Sequence, residues 1–87
     1  MAYKVLFSES ARKQFTQLNK DTQKAIIKYL ETRVTKDPLL FGKSLTGNKK
    51  GLWRYRVKDY RIICNIQHNA LVVLVIKVGH GKEIYQL

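Results

Sequence analysis

The chain has 87 residues, 45% of them hydrophobic with a single tryptophan, a composition that excludes a disordered tail and predicts one folded domain over 1–87 with a modest core. Seventeen Lys and Arg against 6 Asp and Glu leave a formal net charge of +11, far more than solubility needs, which calls for a polyanionic partner: nucleic acid, an anionic membrane or an acidic protein. Cys64 is the only cysteine, the opening Met1-Ala2-Tyr3-Lys4 carries no apolar signal core, and the longest apolar run, Ala70 to Ile76, is too short to span a bilayer. A disulfide-stapled, secreted or membrane-spanning protein is therefore not expected, and the expected compartment is the cytoplasm.

In chain order, Tyr3 to Phe7 is short and β-prone and reads as an opening strand. Ser8 caps a helix to Leu18, because Ala11, Phe15 and Leu18 recur at helical spacing while Arg12, Lys13 and Gln14 fall off that stripe. Asn19-Lys20-Asp21 interrupts it, and Asp21 is the expected cap of a second helix reaching about Lys36, with Ala25, Ile26, Tyr29, Leu30 and Val34 on its apolar side. Asp37-Pro38 stops that helix, since proline disfavours helical geometry at the residue before it. From Pro38 to Gly51 runs a connector anchored by Leu39, Leu40, Phe41 and Leu45, which offers Lys43, Lys49 and Lys50 to a polyanion. Leu52 to Lys58, Tyr60 to Gln67 and Ala70 to Val78 read as three strands of an antiparallel meander, the last apolar enough from Leu71 to Ile76 to be covered on both faces. The predicted fold class is α+β in the order β-α-α-β-β-β, an N-terminal helical hairpin packed on a small, mainly antiparallel twisted sheet.

The residues that carry chemistry gather at the end of the chain. In Trp53-Arg54-Tyr55-Arg56-Val57-Lys58 the strand period of two sends Arg54, Arg56 and Lys58 to one face and Trp53, Tyr55 and Val57 to the other. A solvated sheet face is polar as well, but arginine presents a planar fork matched to phosphate oxygens, and Arg61 opens the next strand across the Asp59 turn, close enough to join the row. Trp53, Tyr55 and Tyr60 are aromatic candidates for stacking bases, although the direction expected for Trp53 and Tyr55 also suits core packing. His68 sits in a turn and is given no role. His80, Lys82 and Tyr85 follow the last strand and are proton-transfer candidates that, beside an arginine row, fit acid and base work at a phosphodiester. The six acids are scattered, no histidines are paired at ligand spacing, and neither a glycine-rich phosphate loop nor a serine nucleophile motif is present, so metal- and cofactor-free chemistry is expected.

At this point the chain resembles the RelE family of bacterial toxins, over nearly its whole length. The resemblance rests on the opening strand with Ser8 to Lys13, on Leu45-Thr46-Gly47 through Leu52-Trp53-Arg54-Tyr55-Arg56, on Asp59-Tyr60-Arg61-Ile62, and on Val78-Gly79-His80 followed by Tyr85. It implies a ribosome-dependent endoribonuclease that enters the A site, meets mRNA and rRNA there, and directs a 2′-hydroxyl onto the adjacent phosphate. A cognate antitoxin is implied as partner, operator DNA only through the antitoxin complex, and no membrane. By the same resemblance Arg54 and Arg56 match the family's basic strand pair, Arg61 its phosphate-binding arginine, Tyr85 its C-terminal tyrosine, and His80 a histidine of some branches. Lys43, Lys49, Lys50 and Lys58 are the expected RNA-backbone contacts. Gly81 stands where such toxins usually carry an arginine, and the expectation is a weakened copy whose toxicity rises on Gly81→Arg. Two other readings stand beside this one: a ParE-like gyrase inhibitor, and a non-catalytic remnant acting only with its antitoxin at operator DNA.

Overall fold

The computed structural model describes residues 2–45 and 51–81; Lys49, Lys50, Lys82 and Tyr85, singled out above, lie outside them. Strand β1 (Lys4–Phe7) leads into helix α1 (Glu9–Thr16), which starts as its sequence dictates: Ser8 has extended backbone geometry and its hydroxyl accepts from the Ala11 amide, with Glu9 in the first turn. Helix α2 (Lys20–Tyr29) is capped by Asn19, whose side chain accepts from the Thr22 amide at 2.8 Å. The expected cap, Asp21, is instead in the first helical turn, where its charge faces the positive end of the helix dipole. A π-helical turn, Leu30–Val34, prolongs α2 before Asp37-Pro38 ends it.

Four more strands follow: β2 (Lys43–Ser44), β3 (Leu52–Val57), β4 (Tyr60–Gln67) and β5 (Val72–His80). They form one five-stranded sheet in the order β1-β5-β4-β3-β2. The meander of β3, β4 and β5 is antiparallel, as expected, and the expected connector contributes β2 as a two-residue edge strand on β3. Only β1 runs parallel to its neighbour, β5, which is possible because the helical hairpin carries the chain back across the sheet.

The core lies between the helical hairpin and one face of the sheet. Ala11, Ile26, Leu30 and Val34 from the helices meet Tyr55, Val57, Ile62, Cys64, Val73, Val75 and Val78 from the strands. Val75 and Val78 both point inward although three residues apart, since the β4–β5 register shifts between Ile63 and Cys64 and the bulge absorbs one residue of β5. The apolar run in β5 is covered by helices on one face only. Its other face, with Val72 and Leu74, is half-buried and continues into Leu6 of β1, which is 42% exposed. Strand β5 also begins at Val72 and not at Ala70, because Leu71 takes a left-handed φ of 54° at the end of the preceding turn.

Candidate nucleic-acid interface

On the face of the sheet away from the helices, a cavity of about 340 Å³ is lined by Gly42, Lys43, Arg54, Arg56 and Arg61. Strand register builds it. Lys43 is paired with Arg54 across β2–β3, and Arg56 with Arg61 across β3–β4, so two pairs of like charges stand directly opposite one another. Such pairs destabilise a sheet unless something neutralises them. A bound phosphate does, and the guanidinium forks supply donors matched to its oxygens. Arg56 is additionally steered by its own turn, its Nε donating to the Lys58 carbonyl at 3.1 Å.

The wall is held from behind by the aromatic side of β3. The Trp53 indole Nε1 donates to the Phe41 carbonyl at 2.6 Å, and the Tyr55 hydroxyl donates to the Pro38 carbonyl at 2.6 Å. These bonds strap residues 38–42 over β3, and Tyr29 adds edge contacts to both Phe41 and Tyr55. Burial pushes the Tyr55 phenol well above its usual range and keeps it protonated, as the donor role requires; burial also raises the Cys64 thiol. At the end of the strap Gly42 has φ 72°, and a Cβ there would collide with the Arg54 carbonyl oxygen and the Trp53 and Tyr55 side chains. Sequence reasoning passed over Gly42, whose role appears only once the strap is seen crossing β3.

Several expectations change. Trp53 and Tyr55 are packing and strapping residues, so neither offers a stacking platform on the basic face. Lys58 is not in the arginine row: the strand ends at Val57, and Lys58 occupies the turn with a left-handed φ of 55°. His80 does not join the arginines either. It is registered to Tyr60 while Arg61 is registered to Gly79, and consecutive positions of a strand face opposite sides. The His80 ring meets Tyr60 edge-on at 5.8 Å and borders a second cavity, of about 310 Å³, beside Gln14 and Gln17 of α1. His68 is structural, accepting at Nδ1 from the Tyr3 hydroxyl when that nitrogen is unprotonated, at 2.8 Å.

Among the described residues no three His, Cys, Asp or Glu gather as they would around a metal ion, and no helix is long and apolar enough to cross a membrane. The family model for the ParE toxin of the type II toxin–antitoxin system parDE matches residues 5–85. The chain belongs to the RelE/ParE superfamily of type II toxins. Toxin RelG of Mycobacterium tuberculosis is similar to it, at 27% identity over 86 residues and 99% of each chain. The RelBE2 toxin–antitoxin complex of the same organism contains a chain that superposes with a TM-score of 0.86, at 25% identity over 92% of each. A double arginine-to-alanine mutant of E. coli toxin RelE in the free state gives 0.83, at 27% identity, covering 99% of this chain and 93% of that one. The α+β expectation and the resemblance to RelE are thus both met, and the chain is a toxin with the RelE fold.

Proposed function

We propose that this toxin is a ribosome-dependent endoribonuclease that cleaves mRNA in the A site and is held inactive by a cognate antitoxin. The observation that carries the reading is the cavity that gathers Lys43, Arg54, Arg56 and Arg61 on one face of the sheet, a group of cationic donors matched to the oxygens of a phosphodiester. In the reaction the 2′-hydroxyl oxygen bonds to the adjacent phosphorus, its proton passes to a base, and the bond to the 5′-oxygen breaks as that oxygen takes a proton. The products are a 2′,3′-cyclic phosphate and a 5′-hydroxyl. Arg54, Arg56 and Arg61 stabilise the charge that builds on the phosphorane, a contribution on the order of 10²-fold or more in rate for each well-placed donor. His80, on the other side of the sheet, is set aside as a proton carrier; Lys82 and Tyr85 remain the candidates, and Lys49 and Lys50 candidates for gripping the RNA backbone.

The net charge of +11 favours an antitoxin whose acidic segment wraps the basic face, and the similarity to the RelBE2 complex supports such a partner. Operator DNA would be reached through that complex, and the site of action would be the cytoplasm. A second reading, gyrase inhibition, is favoured by the description of the matching family model as a ParE toxin. Primer extension on programmed ribosomes, run beside a gyrase supercoiling assay, separates the two. Cleavage within the A-site codon, reduced at least about 10²-fold by Arg61→Ala, is expected. Intact mRNA with inhibited supercoiling would overturn the ribonuclease reading in favour of the second.

A further inference from the structure

We infer that the cavity beside His80 is a base-binding site: the RNA strand whose phosphate lies among the arginines continues round the open edge of β5 and seats a neighbouring base there. The cavity, of about 310 Å³, is lined by four consecutive residues of β5, Lys77 to His80. Consecutive strand residues face opposite sides, and the register follows that rule here. Val78 packs in the core and His80 is registered to Tyr60, whereas Gly79 is registered to Arg61 and Lys77 to Ile63. A space bounded by both sets lies along the edge of the strand, not on one face of the sheet. That edge is open because β1 stops pairing with β5 at Val75, and among the described residues no strand pairs with β5 beyond it on that side. The two cavities come together at one cross-strand pair: Arg61 lines the first, Gly79 the second, and Gly79 adds no side chain between them.

What lines the edge cavity suits a flat group that both stacks and hydrogen-bonds. Tyr60 and His80 supply aromatic surface, their half-buried rings meeting at 75° with centroids 5.8 Å apart, and Leu18 supplies an apolar wall. Gln14 and Gln17 of α1 add side-chain amides, each with donors and an acceptor. The Gln14 Oε1 accepts from the Val78 amide at 2.8 Å, which fixes the plane of that amide and leaves its Nε2 hydrogens to donate elsewhere. Unstacked RNA bases are recognised by this combination, aromatic faces for the ring and hydrogen bonds to its edge. The volume lies at the low end of the roughly 300–1,000 Å³ of small-ligand sites, which suits one nucleoside. An open sheet edge also takes an added peptide strand, but the Val78 amide that such a strand would pair with is already held by Gln14. Tyr60 thereby keeps its stacking role, and His80, on the wrong side of the sheet for proton transfer among the arginines, forms a wall of the base site. The inference rests on the reading of the chain as an RNA-binding toxin, but occupancy of this cavity is measurable without cleavage.

The test uses the whole chain with a short single-stranded RNA and with an abasic strand carrying the same phosphates. In fluorescence anisotropy, His80→Ala is expected to weaken binding of the RNA at least about fivefold, the effect of one lost stack, and to leave the abasic strand unaffected. The salt dependence should stay unchanged, because no phosphate contact is removed. His80→Phe, which keeps an aromatic wall, should restore most of the affinity, and Gln17→Ala, at an exposed helix position, should weaken binding about threefold. In NMR spectra the RNA is expected to move the His80 ring and Gln14 side-chain amide resonances, and the abasic strand is not. Unchanged affinity in His80→Ala and Gln17→Ala, or equal shifts with both strands, overturns the inference while leaving the arginine site standing. An acidic peptide that moves these resonances where RNA does not would assign the edge to strand addition and also overturn it. If the natural chain binds no RNA, the functional reading fails, and titration with uncharged adenosine and uridine decides: shifts at His80 and Gln14 uphold the base site, and their absence overturns it. Should His80→Ala fold poorly, Gln17→Ala and the nucleoside titration of the natural chain decide in the same way.

Discussion

Gly42 is the residue on which the basic wall turns. Its φ of 72° and the approach of the Arg54 carbonyl leave no place for a methyl group, and the colliding atom is backbone, which cannot swing away. Gly42→Ala is expected to cost about 2–4 kcal/mol, the sum of a left-handed alanine and an overpacked contact. A urea titration checks this through a lowered midpoint at unchanged slope; a loss below about 0.5 kcal/mol would mean that the strap is not held where it is seen. At this scale the arginines were legible, because alternation along one strand decides which side chains share a face. His80 was not. Its face is fixed by pairing with Tyr60 and by a bulge at Ile63/Cys64, and neither is written in the residues around it. Lys58 was misread for a related reason: alternation holds only while the strand lasts, and the chain leaves β3 one residue earlier.

Among the elements, α1 does more than cover the core. Strand β1 ends its pairing with β5 at Phe7 and Val75, so among the described residues no strand pairs with the last residues of β5 on that side. The Gln14 side chain takes its place, accepting from the Val78 amide at 2.8 Å. An amide left without a partner in a part-buried position costs about 1 kcal/mol or more, which in a domain of this size moves Tm by roughly 4–8 °C. Gln14→Ala is therefore expected to lower Tm by that amount. Gln14→Glu, which keeps an acceptor oxygen, should restore most of it; equal losses in the two variants would show that the bond to Val78 does not hold the edge. Helix periodicity and capping residues made both helices legible, since these are local signals. The parallel return of β1 onto β5 joins residues nearly seventy positions apart, and only the assembled sheet reveals it.

For the molecule as a whole, the question is whether the +11 charge acts as a diffuse cloud or through one site. Exposed cations also crowd the helical layer: Arg12, Lys13, Lys20, Lys24 and Lys28 all lie there, on the far side of the sheet from the arginine cavity. Even the shortest principal extent of the molecule is 22 Å, whereas charges are screened beyond about 8 Å at physiological salt. The two layers should thus act on a bound strand separately. For a single strand the logarithm of affinity falls with the logarithm of salt at a slope of roughly −0.7 per phosphate neutralised, so the four cations of the cavity contribute about −3 to the slope, to which backbone contacts from Lys49 and Lys50 would add. Arg54→Ala and Arg56→Ala should each flatten it by about 0.7, and Lys24→Ala and Lys28→Ala should leave it alone. Titrating an RNA oligonucleotide at several salt concentrations decides the matter: if the helix lysines flatten the slope as much as the arginines do, binding is a property of total charge and the cavity has no privileged place in it.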